Sequence, residues 1–192
     1  MKRIVTVLLV AALVMGCCGC SMISALKGDS AEREQYLKMT TQELEALADE
    51  ELWKALSIRT GEKANTQWNL GDGAAKLPEA QRVFYVISCF YTEQENGGLC
   101  RFFVKGSRNL APLVSDSLAV LGAAEHQALF DDFVKKNEIS TDYLIFFIIN
   151  DESEFAEKRA HYPFDDYDVP YRQLPSLKEM LIAYAREHID EY

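Results

Sequence analysis

The sequence predicts an all-α protein: one compact domain of about six to eight helices, carried behind a signal peptide and a short linker. Three observations predict it. Apolar residues recur at three- and four-residue spacing through most of the chain beyond residue 40. Capping-box tetrads precede two of these segments, at Thr40-Thr41-Gln42-Glu43 and Ser176-Leu177-Lys178-Glu179. Only one run, Tyr143 to Ile149, is strand-like, and it has no second run to pair with.

The chain starts Met1-Lys2-Arg3, continues in an apolar run from Ile4 to Met15, and then reads Gly16-Cys17-Cys18-Gly19-Cys20. A basic start, a short apolar core and a small residue before cysteine are the order of an export signal. The core is shorter than the roughly 20 residues a membrane-spanning helix needs. Val14-Met15-Gly16-Cys17 resembles the lipobox of bacterial lipoproteins. That resemblance implies cleavage before Cys17, a diacylglycerol on its sulfur and a palmitate-type acyl chain on its new amino group. Cys20 also follows a glycine, but Cys17 directly follows the apolar core and is the expected acceptor. A plain signal peptide or an uncleaved anchor is the alternative. The expected division is 1–16 signal peptide, 17–38 lipidated cysteine and polar tether, and 39–192 helical domain. The lipid places the chain in the bacterial cell envelope. With two membranes that is the outer membrane facing the periplasm; with one, the outer face of the cytoplasmic membrane.

After the capping box, Leu44, Leu47, Ala48, Leu52, Ala55 and Leu56 form an apolar stripe that predicts one helix ending at Gly61. Residues 65–76, with Gly71 and Gly73, read as a loop. Pro78 suits the first turn of a second helix. Val83, Phe84, Ile87, Phe90 and Tyr91 make its main stripe, and Tyr85, Val86 and Cys89 make its other faces apolar, so it is expected at the centre. Asn96-Gly97-Gly98 stops it, and Leu99, Phe102 and Phe103 begin a short segment that turns back on it. Pro112 opens a helix with Leu110, Val114, Leu118 and Leu121 as its stripe and Gly122 as its stop. A further helix spans 123–136. The run Tyr143 to Ile149 is open between buried strand and helix, with helix favoured. Residues 151–159 read as an exposed helix, 162–175 as an irregular acidic crossing. The last helix carries Leu177, Leu181, Tyr184 and His188 on one face.

Thirty acidic residues stand against twenty basic ones, a formal charge of −10. Lys2 and Arg3 leave with the signal, which takes the mature chain to −12. Such a charge excludes direct nucleic-acid binding and a basic membrane-docking surface. Of the five cysteines, only Cys89 and Cys100 fall in the globular part. Cys89 sits in a strongly apolar stretch, where a buried thiol is favoured over a disulfide. Gly71-Asp72-Gly73 lacks the third glycine and preceding strand of a dinucleotide loop. Asp165, Asp166 and Asp168 lack the glycine and the twelfth-position glutamate of a calcium loop. His126, His161 and His188 stand in no metal-binding spacing. No metal, cofactor or catalytic residue is expected.

The stretch from Arg82 to Ala123 reads RVFYVISCFYTEQENGGLCRFFVKGSRNLAPLVSDSLAVLGA. It resembles the bacterial DNA-mimic protein (DMP) family, a domain family otherwise of unknown function. The resemblance lies in Glu93 at an acidic helix end, Asn96-Gly97-Gly98, Leu99, Phe102-Phe103, Ala111-Pro112 and Leu121-Gly122-Ala123. The segment from Phe164 to Arg186 is similar to the family's closing part. Arg101 stands where the family usually has glutamine, Val104-Lys105 where it has an aromatic-asparagine pair, and Glu95 where asparagine is frequent. The resemblance implies a helical fold. Through the protein the family is named after, it also implies surface carboxylates that imitate DNA phosphates. The Asn-Gly-Gly motif itself reads first as a helix stop that lets two helices pack, with Glu93 capping locally or pairing with Arg101. Its functional alternative is a small polar pocket of Glu93, Asn96, Gly97, Gly98 and Arg101 over Phe102 and Phe103, a candidate ligand or partner site.

The function expected from these readings is a membrane-anchored, non-enzymatic lipoprotein with a helical protein-interaction domain and a protein partner. A DNA mimic engaging a basic or DNA-binding protein is the runner-up, and export from the cytoplasm removes its usual targets. An enzyme built on Glu93 and Arg101 is the third reading. Partner, ligand, pathway and oligomeric state stay open.

Overall fold

The computed structural model describes residues 30–64 and 69–192. The signal peptide, Cys17 and the tether up to residue 29 lie outside the described residues. Ten α-helices run through the described part in the order α1 (Ser30–Lys38), α2 (Thr41–Glu45), α3 (Asp49–Ala64), α4 (Leu70–Ala74), α5 (Glu79–Val104), α6 (Ala111–Val120), α7 (Ala124–Lys136), α8 (Glu152–His161), α9 (Asp165–Tyr171) and α10 (Leu177–Glu187). Short 3-10 turns at Gly106–Leu110, Ile145–Phe147 and Ile189–Glu191 complete them. The all-α, single-domain expectation is met. No described helix is long and apolar enough to cross a membrane.

The central position predicted for the second helix is where α5 lies. Every residue from Val83 to Phe90 is buried, and α3, α6, α9 and α10 all pack on it. Each fully buried Phe or Leu contributes about 1.5–3 kcal/mol over its exposed state. Phe90, Phe102, Phe103 and Phe133 are all under 2–3% exposed and form the centre of this core. Phe90 meets Phe102 edge-on with centroids 5.1 Å apart, and Phe103 tilts against Phe133 at 5.5 Å.

The capping box at Thr40 forms in full. The Glu43 N–H donates to Thr40 Oγ1 at 3.3 Å, and Glu43 Oε2 accepts from the Thr40 N–H at 2.7 Å. At Ser176 the forward half forms, with the Glu179 N–H donating to Oγ at 3.3 Å. Gly122 ends its helix with φ +77°.

Five local expectations are corrected. The first helix is two: α2 closes at Glu45 and α3 restarts at Asp49, with three acidic residues in its first turn. α3 passes through Gly61 to Ala64, because a glycine at helical dihedrals permits a stop without imposing one. Within 65–76, Asn69 Oδ1 accepts the Gly71 N–H at 2.9 Å and nucleates α4. The acidic crossing contains α9, with Pro170 inside it; the proline forgoes the bond to the Asp166 carbonyl, and the helix closes one residue later at Tyr171. The run Tyr143 to Ile149 is neither strand nor α-helix but a single 3-10 turn.

The packed fold also begins earlier than residue 39. α1 lies on α3, where Tyr36 donates to Glu51 and Lys54 pairs with Glu32. Arg59 then joins both ends of the described chain. Its guanidinium donates to the carbonyls of Tyr36 at 3.0 Å and Met39 at 2.7 Å, and to the Tyr192 oxygen at 2.9 Å.

Candidate functional site

The Asn-Gly-Gly motif interrupts α5 as the sequence predicts: one helix stops there and a second begins beyond a sharp bend. Gly97 is extended (φ 176°) and Gly98 left-handed (φ +73°), and helix resumes at Leu99. A new helical start has unpaired N–H groups, which a local side chain normally caps. Here the cap comes from α9. Asp168 Oδ1 accepts the Leu99 N–H at 2.8 Å. A Cβ built on Gly98 would stand 2.6 Å from the Asp168 carboxyl carbon. Gly98 is thus required twice, for its dihedrals and for the room the carboxylate occupies.

Arg159 of α8 closes the arrangement. It donates to the Gly97 carbonyl at 3.3 Å, bonds Asp165, and approaches Asp168 Oδ2 at 3.5 Å. Asp168 Oδ2 itself makes no hydrogen bond, so the Arg159 approach is a charge contact only. Burial raises the Asp168 pKa above the ordinary carboxylate value, opposed by the Leu99 N–H and by Arg159.

Glu93 and Arg101, one on each side of the bend, form the pair the sequence suggested, Nε donating to Oε2 at 2.8 Å. Glu93 has no exposed surface, while the Arg101 side chain is 27% exposed. The Arg101 stem lies against Gly97, with Cδ 2.9 Å from where a Cβ would be. Asn96 is exposed and turned back on its own helix, Nδ2 donating to the Thr92 carbonyl at 2.7 Å. Phe102 and Phe103 point into the aromatic core. The structure therefore brings Glu93, Gly97, Gly98 and Arg101 together, leaves Asn96 outside, and separates both phenylalanines from any polar cleft. They do not floor a pocket; that expectation is corrected.

Comparison with protein families matches residues 75–188 to a family described as DMP19-like protein. More than half of the chain is matched, and the range holds the bend, its Asp168 cap and Arg159. The chain belongs to the DMP19-like family. Comparisons with curated proteins and with solved structures find no match. The family range starts at Ala75, so α1 to α4 precede it, yet α3 packs on the matched α5.

Outside the bend, the DMP19-like domain has a second feature that local pattern did not single out. Residues 131–166 hold ten carboxylates and four lysines or arginines. More than half of the chain's net −10 thus falls in under a fifth of its length. Several of these carboxylates are held ionised. Hydrogen bonds from Ser153 lower the Asp151 pKa, those from Asn150 lower Glu154, and those from Lys136 and Tyr167 lower Asp132.

The tip of this segment is apolar. Leu144 and Phe147 turn inward; Phe147 stacks on Phe103 at 4.8 Å and on Tyr162 at 5.1 Å. Three residues per turn put positions 144 and 147 on one face and leave Tyr143, Ile145, Phe146 and Ile148 outward, 60, 53, 69 and 46% exposed. An open cleft of about 320 Å³ adjoins it, lined by Asn69, Asp72, Asn109, Thr141, Asp142 and Leu144 among others. Exposure distinguishes this run from a core segment, and composition alone carries no signal of it.

Cys89 and Cys100 are both buried and no disulfide joins them; burial pushes the Cys100 thiol up to about 12. His126 is buried against Tyr171, and desolvation lowers its pKa. Among the described residues no group of His, Cys, Asp or Glu is placed to hold a metal ion.

Proposed function

We propose that the chain is a non-catalytic protein-binding domain, held at the outer side of a bacterial membrane by lipid on Cys17, and that its acidic segment contacts a basic partner. The observation that carries the binding role is the concentration of ionised, exposed carboxylates in residues 131–166. Net charge of one sign concentrated in one segment steers an oppositely charged protein and raises its association rate. The lipobox carries the location, and acyl chains add about 0.8 kcal/mol per buried CH₂ to the anchoring. The non-catalytic reading is supported by Glu93, which is fully buried and bonded to Arg101 across the bend, out of reach of a substrate.

Family membership favours a second reading, in which the partner is a DNA-binding protein and the carboxylates stand in for phosphates. Opposing it, part of the acidic surface is paired in place. Asp49, Glu50, Asp132 and Glu152 are paired with Arg186, Lys178, Lys136 and Lys105, whereas a phosphate row carries no built-in cations.

The experiment is cross-linking capture by the full-length protein in its own membranes, with and without added duplex DNA. A partner enriched in basic residues, retained in the presence of DNA, is the expected result. A partner that DNA displaces supports mimicry, and no reproducible partner removes the binding role. Processing that globomycin blocks, and that Cys17→Ser abolishes, tests the anchor.

A further inference from the structure

We infer that the apolar tip at Tyr143–Ile148 and the cleft beside it form one docking site for a basic protein segment that pairs a lysine or arginine with a large apolar side chain. The inference rests on the protein-binding reading above and gives that reading a place and a partner chemistry.

Four large apolar side chains within six residues stand in solvent, the kind of patch that marks an interaction surface when contiguous. The tip is held and not loose. Phe147 is wedged between Phe103 and Tyr162, and Leu144 is buried. Tyr143 and Phe146 also rest edge-on at 6.0 Å. A surface already fixed in shape loses less entropy on binding.

Charge chooses among possible occupants. Asp72 and Asp142 both line the cleft, and the flanking segment carries the excess of carboxylates described above. A second copy of this chain would bring two such acidic rims together. An anionic membrane surface would meet the same repulsion. A cationic segment is attracted by both carboxylates in the cleft while its apolar neighbour covers Phe146 and Ile145. The attraction is screened over about 8–10 Å at ordinary ionic strength, so the basic group must reach the cleft itself.

The test uses the full-length protein and a short peptide alternating lysine with leucine and phenylalanine, followed by fluorescence anisotropy at low and high salt. Two control peptides replace lysine by glutamate, or leucine and phenylalanine by serine. The expected result is binding of the first peptide, at least about tenfold weaker binding of both controls, and a loss of similar size in Phe146→Ser and Ile145→Ser at unchanged Tm. Wild-type affinity in both variants would overturn the docking site. If Asp142→Asn still weakened binding in that case, the acidic protein-binding reading would survive it. Absence of binding by any basic peptide would remove both. Binding to phosphatidylcholine vesicles that Phe146→Ser abolishes would make the tip a membrane element and overturn the proposal. So would a dimer in sedimentation that Phe146→Ser dissociates.

Discussion

Asp168 caps Leu99 across 69 residues of sequence, its Oδ1 accepting the Leu99 N–H at 2.8 Å. That bond explains the glycines of the motif through which the family resemblance was first visible. A helix bent at Gly98 needs a cap for its second half, the cap is a carboxylate from α9, and only a residue without Cβ leaves room for it. The motif is architecture, and the exposed chemistry of the domain lies elsewhere.

Gly98→Ala is therefore expected to destabilise the fold far more than Gly122→Ala. Both glycines have positive φ, which costs an L-residue about 1–2 kcal/mol. Only at Gly98 does the new Cβ also meet Asp168; around Gly122 nothing lies within 4 Å. Urea denaturation should give about 1 kcal/mol for Gly122→Ala and at least about 3 kcal/mol for Gly98→Ala. Equal losses would mean that Asp168 moves aside freely.

Asp168→Asn keeps an acceptor for Leu99 and removes the charge. The Asp168 pKa is raised in the folded state, chiefly by burial, so folding takes up protons there. The stability tied to it is fully present below the unfolded value, about 3.9, and is lost as pH rises through the folded value. The asparagine variant does not share that loss. Its stability relative to wild type should improve from pH 4 to pH 7, as measured by paired thermal melts. A relative decline over that interval would mean the Arg159 contact outweighs desolvation. Asp168→Ala should be worse than both at either pH.

Arg101→Ala leaves a fully buried Glu93 without its cation. Breaking a buried ion pair costs about 3–5 kcal/mol; with Arg101 partly in solvent, the loss should be nearer the lower end. Adding Glu93→Gln should recover part of it, so the double-mutant cycle should show positive coupling. Additive losses would indicate that the pair contributes little beyond packing.

The sequence made the apolar logic of the fold readable. The stripe around α5 placed it at the centre, Thr40 and Ser176 marked real helix starts, and Gly122 marked a real stop. Each of these depends on residues within about one turn of each other. What was illegible depends on distance. The Leu99 cap sits on another helix, so Asp168 read only as one of three aspartates in an irregular acidic crossing. Whether Gly61 stops a helix depends on packing beyond the glycine itself. The run Tyr143 to Ile149 has the composition of a core element, and only the turn that holds Phe147 inward reveals that most of it faces out. At the candidate site the Glu93–Arg101 pairing was legible from spacing, and the burial of Phe102 and Phe103 was not.

Alternation at the tip makes a direct stability contrast. Phe147→Ser should cost about 3–5 kcal/mol, as expected for loss of a buried aromatic side chain. Phe146→Ser, one position earlier and 69% exposed, should change stability by no more than about 0.5 kcal/mol. Chemical denaturation of the two variants checks it. Comparable losses would place Phe146 in the core.

The central claim is that binding belongs to the acidic segment 131–166 and its apolar tip, and not to the Asn-Gly-Gly bend. Its most direct test measures the affinity of the lysine, leucine and phenylalanine peptide for two variants of the full-length protein. One is Asn96→Ala, which alters the exposed residue of the bend; the other combines Asp142→Asn, Glu157→Gln and Asp166→Asn, all exposed and all within the acidic segment. The account predicts wild-type affinity for Asn96→Ala and a loss of at least about tenfold for the triple variant, both folded as wild type. Loss of binding in Asn96→Ala with affinity retained in the triple variant would contradict it.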